Sequence, residues 1–193
     1  MNRIEEKEAY LILQLLWPYF SNNYYNGESP DLQNDIDSVG IEITQAVTNM
    51  PQKYAKINNL VANMHSTQNP QVVQELIYTN KDGLLTKEDK TPTNEIIQVC
   101  QNRIKIKLEK FNKNYKHYQT NGLFLFIRNS FLTKTNVKEI YEYFHSINMN
   151  MSKKVDMLFI YDGTYFSYNN MNNKNPTIIE VEDDIKIFIY NIL

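Results

Sequence analysis

Residues 122–128 read Gly-Leu-Phe-Leu-Phe-Ile-Arg. Successive side chains of a strand point to opposite faces, so this run makes both faces apolar. A strand of that kind belongs near the middle of a sheet. A second run, Val155 to Tyr161 (VDMLFIY), has the same character, and Asp162-Gly163 after it signals a hairpin leading to Thr164–Tyr168. Between the two runs, Val137, Ile140, Tyr141 and Phe144 recur at helical spacing behind a capping-box-like Asn136/Glu139 start. Before them, Pro92 or Thr93 opens a long helix to about residue 114, with Ile97, Cys100, Ile104, Leu108 and Phe111 as its buried stripe.

The first half of the chain completes the pattern. Residues 3–17 read as a helix with Ile4, Ile12, Leu15 and Leu16 on one side, and 18–29 as a polar, aromatic loop. Residues 30–33 and Val39 to Thr44 form two short strands around the turn Asn-Asp-Ile-Asp-Ser, a hairpin arrangement. Tyr54, Ile57, Leu60, Val61 and Met64 suggest a further helix, residues 72–77 are a short apolar piece before a charged loop, and the terminal Ile-Lys-Ile-Phe-Ile-Tyr-Asn-Ile-Leu fits strand or helix equally. No repeat or linker divides the 193 residues, which suffice for one domain. The order predicts an α/β fold, a mixed sheet with helices packed against it.

Composition limits the function classes. At 42% hydrophobic and 22% charged residues the chain is ordinary for a globular protein. A net charge of -2 gives no global basic field, so any nucleic-acid contact rests on local charge. The single cysteine, Cys100, excludes a disulfide framework and a cysteine zinc cluster, and sits among apolar neighbours as a core residue. The charged start MNRIEEKEAY lacks a signal-peptide core, and no apolar run reaches the ~20 residues that span a bilayer. The expectation is a cytoplasmic protein without membrane association. His65, His117 and His145 lack paired metal spacing, and there is neither a glycine-rich phosphate loop nor a nucleophile elbow.

The segment that carries chemistry is Glu28-Ser29-Pro30-Asp31, followed by Val39-Gly40-Ile41-Glu42-Ile43-Thr44. Alternation puts Val39, Ile41 and Ile43 on one face, and Gly40, Glu42 and Thr44 on the other. A carboxylate in the middle of an apolar strand is costly unless it is paired or binds a cation. With Asp31 in the neighbouring strand, two carboxylates meet across the ladder, and a divalent cation relieves their repulsion. Such hard oxygen ligands suit Mg²⁺ or Mn²⁺.

Pro-Asp, a gap of ten residues and a Gly-Ile-Glu-Ile-Thr strand resemble the core of the PD-(D/E)xK, or restriction-endonuclease-like, nuclease superfamily, in particular a bacterial subset with an ESPD…GIEIT core. The motif covers residues 28–45, and the later strand–helix–strand order extends a looser likeness over most of the chain. The resemblance implies a restriction-endonuclease-like mixed sheet flanked by helices. It implies that Asp31 and Glu42 hold Mg²⁺ or Mn²⁺, with the carbonyl of Ile43 as a third ligand, and that the protein hydrolyses phosphodiester bonds, of DNA rather than RNA. A role in phage defence or mobile-element biology, and homodimerisation, are further expectations by analogy.

Thr44 stands where the family has its lysine, and in some members that lysine has moved to a following helix. On the helix to residue 114, Lys107 lies about 60° from Ile104, at the edge of the buried stripe, and Lys105 about 100° away. Lys107 is therefore the candidate to replace the missing ammonium, against a plain reading as a lysine snorkelling at the helix boundary. On the first helix, Glu5 and Glu8 fall within the apolar stripe around Ile12 while Glu6 points away, and either matches the glutamate that the family often carries near its metal. Acids also suit a first turn for reasons of helix polarity alone. Arg103, Lys105, Lys110, Lys113 and Lys116, interleaved with Tyr115 and Tyr118, form a basic stretch suited to a phosphate backbone, or else a solvated helix face. Asp35 and Asp37 read as turn formers. The function expected first is a metal-dependent nuclease. A domain of the same fold that lacks catalysis and binds nucleic acid or a protein partner is the alternative, and an unrelated α/β protein with a chance motif is the third.

Overall fold

The computed structural model describes residues 4–47, 93–128, 132–170 and 175–192. Seven strands form one sheet in chain order: β1 (Tyr25–Asn26), β2 (Leu32–Asn34), β3 (Val39–Val47), β4 (Thr120–Arg128), β5 (Met157–Tyr161), β6 (Tyr165–Asn170) and β7 (Thr177–Glu180). Four helices are seen among the described residues: α1 (Ile4–Leu16), α2 (Thr93–Asn114), α3 (Lys134–Asn148) and α4 (Asp183–Ile192). Strands β3, β4 and β5 are parallel to one another, while β1–β2–β3 and β5–β6–β7 are antiparallel. The protein is an α/β fold with a mixed sheet. The helix expected around residues 54–64 and the apolar piece at 72–77 lie outside the described residues.

The two-faced apolar run occupies the centre of the sheet as β4. Its Leu123, Leu125 and Ile127 join Ile97, Cys100, Ile104, Leu108 and Phe111 of α2 and Val137, Ile140 and Phe144 of α3 in one core. Its Phe124 and Phe126 join Ile12 and Leu13 of α1, Ile41 and Ile43 of β3 and Ile189 of α4 in a second core on the opposite face. Cover on both sides follows from the apolar side chains on both faces of β4, each contributing about 1.5–3 kcal/mol when buried.

Three local expectations change. Helix α3 starts earlier than Asn136: Thr133 is its cap, and Asn136 is the third residue of a reciprocal capping box with it. The ambiguous terminus is helical, with Ile189 buried against α1's side of the sheet, and the short edge strands β1 and β7 arise where no strand was expected. The Asp162-Gly163 hairpin forms as expected. Gly163 has a positive φ of 87°, and Asp162 Oδ1 accepts the Thr164 and Tyr165 N–H groups at 2.8 and 2.7 Å. No helix among the described residues is long and apolar enough to cross a membrane.

Candidate functional site

Strand β2 is only three residues long and pairs with Val39, Gly40 and Ile41. Beyond Ile41, strand β3 has β4 on one side and, among the described residues, no strand on the other. Ile43 lies on this open edge, and its N–H donates to Asp31 Oδ2 at 2.8 Å. Asp31 thus takes the place that the next residue of a longer β2 would hold, which fixes its carboxylate beside Glu42. Gly40 allows the close packing that makes this turn of chain compact. A Cβ there would lie 2.4 Å from the Tyr118 ring and 2.6 Å from Pro30 Cγ, far inside van der Waals contact.

Glu42 faces away from α1, towards α2, as strand alternation requires, and is only 3% exposed. Lys107 of α2 donates its Nζ–H to Glu42 Oε1. The Tyr115 hydroxyl, just past the end of α2, donates to the same oxygen at 2.7 Å. The other oxygen, Oε2, is buried and has no hydrogen-bond partner among the described residues. Burial pushes the Glu42 carboxyl above its ordinary range and the Asp31 charge pushes it further, while Lys107 and Tyr115 pull it back. Burial and the same carboxylate hold the Tyr115 proton well above the usual phenol range.

A cleft of about 300 Å³ opens along this edge. Asp31, Ile43, Thr44 and Gln45 line its floor, Glu5 and Glu6 of α1 form one wall, and Arg103, Ile106, Lys107 and Lys110 of α2 form the other. Among the described residues, no group of three or more histidine, cysteine, aspartate or glutamate side chains is arranged to hold a metal ion. Mg²⁺ does not require such a cage: it keeps several waters and is commonly held by one or two carboxylates. Asp31 and the bare Oε2 of Glu42 meet that smaller requirement, and an unpartnered buried carboxylate oxygen is the feature a cation would relieve.

The structure thus brings Asp31, Ile43, Glu5 and Lys107 of the expected residues into the lining of one cleft, with Glu42 buried behind it against Lys107 and near the Asp31 charge. It separates Glu8 from them. Glu8 makes a two-pronged ion pair with Arg128, with Arg128 Nη1 donating to Oε1 at 3.0 Å. Arg128 is in register with Val47, further along β3 than Glu42, and its guanidinium lies over the Phe126 ring, so this pair is on the α1 face of the sheet while Glu42 faces α2. Of the basic stretch, Arg103 and Lys110 reach the cleft, Lys105 and Lys113 are exposed outside its lining, and Lys116 pairs with Asp35 at 2.8 Å beneath the Tyr25 hydroxyl.

Two residues were not expected here. Glu6 points away on a wheel centred on Ile12, yet it is buried, lines the cleft and accepts from Asn26 Nδ2 at 3.1 Å. The buried arc of α1 also includes Ala9 and Leu13, about 60° and 100° from Ile12, which puts Glu6 at its rim. Tyr115, read with the basic stretch that suits a phosphate backbone, is instead turned inward onto Glu42. It lies past the helix, where periodicity carries no information about direction.

Comparison of the chain with protein-family models, with curated proteins and with solved structures gives no match.

Proposed function

We propose that the protein is a Mg²⁺- or Mn²⁺-dependent nuclease of the restriction-endonuclease-like type, acting on DNA, with its centre at Asp31 and Glu42. The observation that carries the reading is the Glu42 carboxylate. One oxygen is held by Lys107 and Tyr115, and the other is buried with no partner among the described residues, in a carboxylate that feels the Asp31 charge. Among the described residues, the order of a helix, three antiparallel strands, a helix and a fourth strand parallel to the third supports the same assignment.

In this reading Asp31 and Glu42 Oε2 hold the cation. The Ile43 carbonyl faces the same open edge as its N–H, since both groups of one residue point to the same neighbour. The bound ion would polarise the phosphodiester and lower the pKa of a coordinated water. Lys107 supplies the positive charge that Thr44 cannot. It orients Glu42 and lies on the wall where charge develops on the phosphate oxygens.

Purified protein is tested for Mn²⁺- and Mg²⁺-dependent cleavage of DNA and RNA, beside Asp31→Ala and Glu42→Ala. Metal-dependent cleavage lost in both variants supports the proposal. A variant that binds Mn²⁺ as tightly as the unaltered chain removes that residue from the site. Thr44 on the cleft floor favours one other reading, a domain that binds DNA without cutting it. That reading requires salt-sensitive DNA binding that survives EDTA.

A further inference from the structure

Helix α2 turns Arg103, Ile106, Lys107 and Lys110 towards the cleft. The three cations fall within about 60° of one another around the helix, with Arg103 about 6 Å and Lys110 about 4.5 Å along the axis on either side of Lys107. Lys107 is committed to Glu42. Arg103 and Lys110 are exposed and form no ion pair with another described residue, whereas Lys116 at the end of the same basic stretch is paired with Asp35. The facing wall carries Glu5 and Glu6. A polyanion entering the cleft is repelled by α1 and drawn to α2, so the asymmetry selects one side. Ile106 sits among these cations at 45% exposure, an apolar group on a face that solvation alone would make polar.

We infer that α2 is a strand-tracking surface. Arg103 and Lys110 hold the phosphates on either side of the one seated at Lys107, and Ile106 packs against the intervening sugar or base, so that one DNA strand runs along the helix axis. This rests on the nuclease reading above, and it divides the basic stretch into residues that contact the strand and residues that do not.

The test is binding of a short fluorescein-labelled DNA strand, followed by anisotropy in Ca²⁺ across a salt series. Arg103→Gln and Lys110→Gln are each expected to weaken binding several-fold and to lower the slope of log K against log salt by about 0.7, the value for one phosphate contact on a single strand. Ile106→Ala is expected to weaken binding with the slope unchanged, because an apolar contact releases no counterion. Lys105→Gln, about 160° round the helix from Lys107, serves as the control and is expected to change neither quantity. All four positions are exposed, and circular dichroism checks that the variants are folded. If Arg103→Gln and Lys110→Gln match the Lys105→Gln control, the tracking surface is overturned. Cleavage of the same strand in Mn²⁺ is scored separately. A chain that cuts DNA with these slopes unchanged loses only the tracking surface, and a chain that neither binds nor cuts loses both inferences.

Discussion

Replacing Lys107 by Met tests the central pair, because Met keeps the apolar stem and removes the charge. Glu42 is 3% exposed and Lys107 is 19% exposed. Removing one partner of a buried ion pair costs about 3–5 kcal/mol. Tyr115 remains as a donor to Oε1 and Lys107 has some access to water, so the lower end applies, about 3 kcal/mol at neutral pH. For a chain of this length that corresponds to a fall in Tm of about 6–12 °C.

The cost depends on pH with a definite sign. Glu42 has a raised folded-state pKa, so the folded chain holds this proton more tightly than the unfolded chain. Its contribution to stability therefore falls as pH rises from its ordinary value of 4.5 through the folded value. Lys107→Met removes a charge that lowers this pKa, which widens the window upwards. The difference between variant and unaltered chain should vanish below 4.5 and be complete above the variant's own folded value. Urea unfolding at neutral and acidic pH measures it, and Glu42→Gln completes a double-mutant cycle with an expected coupling of about 2–3 kcal/mol. A cost for Lys107→Met that is independent of pH, or equal in the Glu42→Gln background, would refute the reasoning.

Glu8→Gln should lower stability by about 1–2 kcal/mol through its partly exposed Arg128 partner, and leave Mn²⁺ affinity unchanged. Thermal unfolding beside a Mn²⁺ titration checks both, and a Mn²⁺ loss as large as that of Asp31→Ala would return Glu8 to the metal site. Gly40→Ala forces a methyl into the Tyr118 ring and Pro30 and should cost about 1–3 kcal/mol in urea unfolding. Tyr115→Phe keeps the ring against Phe111 but loses the hydroxyl on Glu42. It should weaken Mn²⁺ binding about 10-fold, as loss of a group orienting a ligand does, and cost about 1.5–3 kcal/mol in urea unfolding at neutral pH. Mn²⁺ affinity equal to that of the unaltered chain would show that Tyr115 does not position the carboxylate.

The parts of the fold legible in the sequence are those where one periodicity acts over several residues. Phe124 and Phe126 against Leu123 and Leu125 declare a strand buried on both faces, and Ile104, Leu108 and Phe111 declare the face of α2. Edge strands escaped because two or four residues carry no period: Tyr25 and Asn26 pair with Gln33 and Leu32 inside what reads as a polar loop. Asp31, Glu42 and Lys107 were legible because the alternation of β3 and the wheel of α2 are both exact enough to aim a side chain. Glu8 misled because a wheel gives direction around α1 and nothing about which end of a neighbouring strand lies opposite. Its position opposite Arg128 is set by the register of β4, which is a property of the packed sheet.

Within the proposed nuclease reading, what already lies over the strand accounts for threonine at residue 44. Thr44 shares the face of Glu42 and is 8% exposed, beneath α2. An ammonium there would be a second buried cation beside the one that α2 delivers through Lys107, with one carboxylate oxygen between them already engaged by Tyr115. Two buried cations in a poorly hydrated place repel each other and lose solvation together. A small side chain at residue 44 removes that conflict and leaves the cleft floor open beside Asp31. The field at the phosphate depends on where the charge sits and how dry its surroundings are, and not on whether strand or helix carries it. The same reasoning accounts for Glu42 Oε2. With both donors on Oε1, the carboxylate is held in one orientation, and its other oxygen has no hydrogen-bond partner among the described residues.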